Sequence, residues 1–155
     1  MICLNLAFGA FAQEKKITQK ELPAPVLASF QKTYPHATIK GVGKETENGK
    51  TYYEIESVDG KTNRDLLYLA DGTVAEIEET VAAADLPASV KSAVTAKYPS
   101  GKIQKAEKTT RGSTITYDVR VDVGNTKHEM SIDAGGKVIK ETNAGSKNKA
   151  KEESY

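Results

Sequence analysis

The sequence predicts an α+β fold: two tandem copies of one helix packed on a four-stranded antiparallel β-meander. The first observation behind this is an internal repeat. Glu21-Leu22-Pro23-Ala24-Pro25-Val26 returns as Asp85-Leu86-Pro87-Ala88-Ser89-Val90, Tyr34-Pro35 as Tyr98-Pro99, and Tyr53-Glu54-Ile55 as Tyr117-Asp118-Val119, each 64 residues on. A period of about 64 exceeds the roughly 20–50 residues of solenoid and propeller repeats, so each copy is expected to be a small domain. The second observation is one apolar stripe at helical spacing opening each copy. The third is a run of short alternating segments after it, separated by glycine-bearing turns. The expected organisation is residues 1–12 as the end of a signal peptide, 13–84 and 85–143 as the two copies, and 144–155 as a polar, disordered tail.

The N-terminal residues Met1–Ala12 are apolar and small, ending in Ala10-Phe11-Ala12 before Gln13-Glu14-Lys15-Lys16. That pattern reads as the end of a secretory signal, with the mature chain starting at Gln13. Without a basic stretch ahead of it, the segment is expected to close a longer signal. It is too short to cross a membrane as a helix. Cys3, the only cysteine, lies within it, so the mature domain is expected to fold without disulfides. The expected location is periplasmic or secreted.

Each copy then opens with a helix. Pro23 and Pro87 follow the acid of Glu21 and Asp85, at a position where the first helical turn tolerates proline. Val26, Phe30 and Tyr34 recur every four residues, as do Val90, Val94 and Tyr98, giving one buried stripe each. Pro35 and Pro99 end the helices at the tyrosines.

Four strands are expected in the first copy, over 38–45, 51–58, 64–70 and 73–80, and four in the second, over 102–109, 114–123, 127–133 and 137–142. Asn48-Gly49, Asp59-Gly60, Asp71-Gly72 and Gly135-Gly136 supply hairpin turns that tolerate positive φ. Alternation then sorts the side chains. Tyr53, Ile55, Leu66 and Tyr68 point to the helix with their counterparts Tyr117, Val119, Met130 and Ile132. Tyr52, Glu54 and Glu56, with Thr116, Asp118 and Arg120, occupy the other face, which the meander leaves open. Leu67 and Leu69 also alternate onto that face, where the second copy has Ser131 and Asp133. Packing between the copies accounts for these leucines equally well.

Charge is uneven between the copies. Residues 21–84 hold six Lys or Arg against eleven Asp or Glu, and residues 85–143 hold ten against seven, although the whole chain nets only +1. Drift after duplication explains this, and so does a surface that orients a charged partner. A pI of about 7.7 and the lack of a basic stripe argue against a nucleic-acid partner.

Chemistry is sparse. His36 and His128 share no ligand spacing, and the sequence holds no Gly-x-Ser-x-Gly elbow, phosphate loop or dinucleotide fingerprint. Paired carboxylates such as Glu54 and Glu56 follow strand periodicity and fit a solvated face. No enzyme and no cofactor are expected. Calcium is the one candidate ligand: Asp59, Asn63 and Asp65 cluster oxygens, with Glu76, Glu78 and Glu79 nearby. Their spacing misses the EF-hand pattern in its glycine and closing glutamate, and a polar hairpin turn explains them too.

The order Leu-Pro-x-x-Val, Tyr-Pro, glycine-bearing hairpin, Tyr-acid-aliphatic strand and Asp-Gly turn, met twice after a signal sequence, resembles the PepSY-like family of exported bacterial proteins. The matching residues are Leu22-Pro23, Tyr34-Pro35, Tyr53 and Asp71-Gly72, with Leu86-Pro87, Tyr98-Pro99, Tyr117 and Gly135-Gly136. That family is related in fold to the β-lactamase inhibitory protein. The resemblance implies an α+β fold, a periplasmic setting and no catalytic residue. The first functional expectation is a monomeric, non-enzymatic binding module whose open sheet face takes a protein or peptide partner through Tyr52, Glu54, Glu56, Leu67, Leu69 and Arg120. The alternative is a calcium- or small-ligand-responsive periplasmic sensor.

Overall fold

The computed structural model describes residues 15–143, which divide between Glu78 and Glu79 into two compact units. The expected signal end at residues 1–12, the cleavage before Gln13 and the tail at 144–155 lie outside the described residues.

The first unit begins with a two-residue strand β1 (Lys15–Lys16) and a 3₁₀ turn at Gln19–Glu21. Thr18 caps that turn: its backbone N–H donates to Glu21 Oε2 at 2.7 Å, and its hydroxyl to the same oxygen at 2.8 Å. Helix α1 (Ala24–Thr33) follows, with Pro23 as the flanking residue and Pro25 inside the first turn, where their missing N–H groups leave no helical acceptor unfilled. It ends at Tyr34, whose φ of −126° leaves the helical region as the following Pro35 requires.

Four strands come next: β2 (Thr38–Glu47), β3 (Lys50–Asp59), β4 (Thr62–Tyr68) and β5 (Val74–Thr80). The β2–β3 turn uses Asn48 and Gly49, both at positive φ (51° and 77°), the geometry that matches strand twist in a two-residue hairpin. Cross-strand register sets Ile55 opposite Leu66 and Tyr53 opposite Tyr68. With Leu22, Val26 and Phe30 from the helix side, Ile55, Leu66 and Tyr68 form the buried core, bordered by Ile17, Tyr34, Ile39, Val42, Tyr53 and Ile77.

In the second unit a 3₁₀ turn (Ala83–Asp85) leads to α2 (Ala88–Lys97), followed by β6 (Lys102–Arg111), β7 (Thr114–Val123), β8 (Thr126–Asp133) and β9 (Val138–Asn143). Leu86, Val90 and Val94 pack on Ala106, Tyr117, Val119, Val121, Met130 and Ile132. The helix side of each meander therefore carries the side chains that alternation assigns to it.

The chain is α+β, but the expectation of two tandem copies, each a helix on its own four-stranded meander, is overturned. The strands form a single nine-stranded sheet in strict sequence order, β1 to β9, and α1 and α2 are the only α-helices among the described residues. Two physical reasons account for the difference. Lys15–Lys16 pairs antiparallel with Lys44 and Gly43 of β2, adding a strand that its lysines concealed from a hydrophobic pattern. In addition, β5 does not close a copy. An edge strand exposes a row of unpaired N–H and C=O groups, and β5 has β6 as its further neighbour. Its last residues, Glu79 and Thr80, accordingly fall in the second unit, where Val81 N–H reaches Ala106 O at 2.9 Å.

Candidate functional site

Register defines the first unit's outer face, the face away from α1. On β3 the residues that alternate with the helix-side Tyr53, Ile55 and Ser57 are Tyr52, Glu54 and Glu56. Glu54 stands opposite Gly43 of β2 and Leu67 of β4, and Glu56 opposite Gly41 and Asp65. Tyr52 stands opposite Glu45, and the Lys50 ammonium lies 5.7 Å from the centre of the Tyr52 ring.

The glycines shape this face. A Cβ on Gly41 would sit 2.9 Å from Glu56 Oε2, and one on Gly43 would sit 3.0 Å from Glu54 Oε2. Both carboxylates therefore lie back over β2, on bare backbone. Tyr52, Glu54, Glu56, Leu67 and Leu69 are all half-buried, neither covered over nor fully free. Leu69 lies just past β4, where its N–H bonds to Thr73 O across the Asp71-Gly72 turn at 2.8 Å.

Arg120, expected with this group, belongs to the second unit. It is exposed on that unit's outer face, opposite Glu129 and ion-paired to it at 2.8 Å. The neighbouring row holds Glu107, Asp118 and Ser131, and Lys105 reaches Glu107 at 2.5 Å.

The three calcium candidates do not share a face. Asp59 is 3.9 Å from Arg64 Nη1 on the helix side, whereas Asn63 and Asp65 stand opposite Val58 and Glu56 on the outer side. Among the described residues, no group of three His, Cys, Asp or Glu is placed to hold a metal ion.

A second cluster, which sequence reasoning missed, ties the end of α2 to the sheet. Tyr98 hydroxyl donates to Glu141 Oε1, Lys97 Nζ lies 2.8 Å from Glu141 Oε2, and the His128 ring stacks on Tyr98 at 4.4 Å between centres. His128 Nδ1 meets Asn143 Oδ1 at 2.8 Å. Burial, then Glu141, push the Tyr98 phenol up to about 12, while Lys97 and Tyr98 hold the Glu141 carboxyl below its usual range. The legible signal was His128 at the repeat position of Arg64. Gly41 and Gly43 were missed too. Their signal was a pair of glycines at strand spacing, where the second copy has Lys105 and Glu107.

The family model described as "Putative beta-lactamase-inhibitor-like, PepSY-like" matches residues 11–76 and 51–140. Among solved structures, a DUF2874 family protein from Bacteroides uniformis is 21% identical, with a TM-score of 0.61 over 78% of this chain and 88% of that one. A Bacteroides eggerthii protein described as periplasmic is 19% identical, with a TM-score of 0.63 and the same coverage of both chains. A BLIP-like protein from Bacteroides fragilis is 17% identical, with a TM-score of 0.59 over 81% of this chain and 88% of that one. At these identities the likeness is one of fold. No curated protein matches the sequence.

Proposed function

Because the chain belongs to the PepSY-like, β-lactamase-inhibitor-like family, whose model covers most of it, we propose that it is an exported, non-enzymatic binding module. Its first unit's outer sheet face takes a segment of a protein or peptide partner. The observation that carries this is the row Gly43–Glu54–Leu67 with Tyr52 beside it: half-buried aromatic and aliphatic side chains next to carboxylates, on a face where no helix of the described residues packs. Binding hot spots favour aromatic and apolar anchors rimmed by polar groups.

A periplasmic setting is supported by the Ala10-Phe11-Ala12 pattern and by the description of the Bacteroides eggerthii relative. The non-enzymatic reading is supported by the inhibitor-like description of the family.

The test is a photo-crosslinking residue at Tyr52, compared with one at Gln31 on α1, in the presence of periplasmic extract. A discrete partner band from position 52, lost in Leu67→Glu at an unchanged melting temperature, is the expected result. Equal crosslinking from position 31, or full retention in Leu67→Glu, overturns the reading.

A further inference from the structure

Three turns of the first unit set an acid or amide side chain before a glycine: Asn48-Gly49, Asp59-Gly60 and Asp71-Gly72. They look alike in sequence, and the structure sets them apart. At the third, Asp71 Oδ1 accepts the Thr73 N–H at 2.9 Å, and a Cβ on Gly72 would sit 2.5 Å from Pro25 O. At the second, Asp59 Oδ2 lies 3.9 Å from Arg64 Nη1. At the first, both residues are exposed and the Asn48 amide has no hydrogen-bond partner among the described residues. A Cβ on Gly49 would meet nothing within 4 Å. Among the described residues, Asn48 is also the one non-glycine at positive φ, a region that strains an L-residue.

We propose that Asn48 is a site of spontaneous deamidation. The backbone nitrogen of Gly49 gives its proton to solvent and attacks Cγ of Asn48. A five-membered succinimide ring closes, the Cγ–Nδ2 bond breaks, and ammonia leaves. Water then opens the ring at either carbonyl, giving aspartate or isoaspartate. The net exchange is an amide and water for a carboxylate and ammonium. Closing the ring requires the Asn48 backbone to leave its turn geometry. An exposed two-residue turn opens locally at low cost, and glycine adds no Cβ to crowd the attacking nitrogen.

Chemistry and packing separate the other positions. An ionised carboxylate, the form aspartate takes at neutral pH, resists such attack, and Gly72 is pinned against α1 besides. Asn63 precedes Arg64, Asn125 precedes Thr126 and Asn143 precedes Ala144, so a side chain shields each following nitrogen. The matching turn of the second unit is Gly112-Ser113, which has no amide to lose. At position 48 the product adds a negative charge two residues from Lys50, whose ammonium lies 5.7 Å from the Tyr52 ring centre. Isoaspartate also lengthens the backbone, which the two-residue turn between Glu47 and Lys50 does not accommodate. None of this depends on what the outer face binds.

The experiment incubates the folded full chain in mildly alkaline buffer, beside the same chain unfolded in urea, and maps its peptides by mass spectrometry over time. Aspartate and isoaspartate are expected to accumulate at position 48 of the folded protein, faster than at Asn63, Asn125 or Asn143. Isoaspartate is expected to stay absent from position 71. In Asn48→Gln, which would have to close a six-membered ring, conversion at position 48 is expected to stop. Conversion at position 48 in urea but not in the folded protein overturns the inference, because the turn then locks the amide. Conversion at Asn63 or Asn125 as fast as at Asn48, or an undiminished rate in Asn48→Gln, overturns it as well.

Discussion

The guanidinium of Arg64 lies over the ring of Tyr34, 4.9 Å from its centre. Tyr34 closes α1 and Arg64 sits on β4, so the contact fastens the end of the helix to the sheet. Sixty-four residues on, the same two positions hold His128 and Tyr98, again stacked. A planar cation and a planar ring solve the same problem: the helix stops at a tyrosine because proline follows, and the tyrosine then needs a flat partner beside it.

Arg64→Ala is expected to lower stability by about 1 kcal/mol, from the lost cation–π contact and the lost packing of its stem. Chemical denaturation measures this. Arg64→His, which copies the second unit, is expected to lose less than the alanine variant.

Phe30 and Tyr68 make opposite predictions within one core. Phe30 is fully buried, and Phe30→Ala is expected to cost about 3–5 kcal/mol. Tyr68 is equally buried, but its hydroxyl has no hydrogen-bond partner among the described residues, and burial pushes its phenol well above the usual range. Tyr68→Phe removes that unsatisfied group and is expected to be neutral or stabilising by up to about 1 kcal/mol. A clear destabilisation in equilibrium unfolding would show that the hydroxyl is satisfied in solution.

Gly72 has a φ of +84°, and a Cβ there would sit 2.5 Å from the Pro25 carbonyl oxygen at the start of α1. Gly60 also has positive φ (59°) but nothing within 4 Å. Gly72→Ala is therefore expected to cost about 2 kcal/mol or more and Gly60→Ala about 1 kcal/mol. Equal melting temperatures for the two variants would show that the turn can move off the helix.

Acid should weaken the fold through identifiable carboxylates. Backbone and hydroxyl donors at Thr18 hold Glu21 low, the Thr73 N–H holds Asp71 low, and Lys97 with Tyr98 holds Glu141 low. Each is depressed in the native state, so its contribution is present above the ordinary carboxylate range of about 4 and is lost as pH falls through the native value. Melting temperature is expected to drop below about pH 4, with a shallower slope in Asp71→Asn. An unchanged slope would remove Asp71 from the account. Tyr98, raised to about 12, acts oppositely: its contribution holds below pH 10 and fades as pH climbs toward 12.

Local rules made much of the chain legible. Asn48-Gly49 forces a hairpin, Tyr34-Pro35 forces a helix end, and a side-chain period of two puts Ile55 and Leu66 on one face and Glu54 and Leu67 on the other. The third strand was expected to run on to residue 70 but stops at Tyr68, because Leu69 N–H turns to Thr73 O. Of the candidate site, the sequence named Tyr52, Glu54, Glu56, Leu67 and Leu69. It grouped Arg120 of the second copy with them, and it passed over the two glycines on which the carboxylates lie.

The sequence by itself determined the repeat, the helices and their ends, the hairpins and the alternation of faces. Each of these follows from interactions between residues close along the chain. Tertiary structure alone decided that β5 has β6 as its next neighbour rather than closing a copy, that two lysines form a strand, and that Arg64 caps Tyr34. Backbone pairing between strands reads no side chain, so a lysine strand and an open edge look the same in sequence as a loop and a finished sheet.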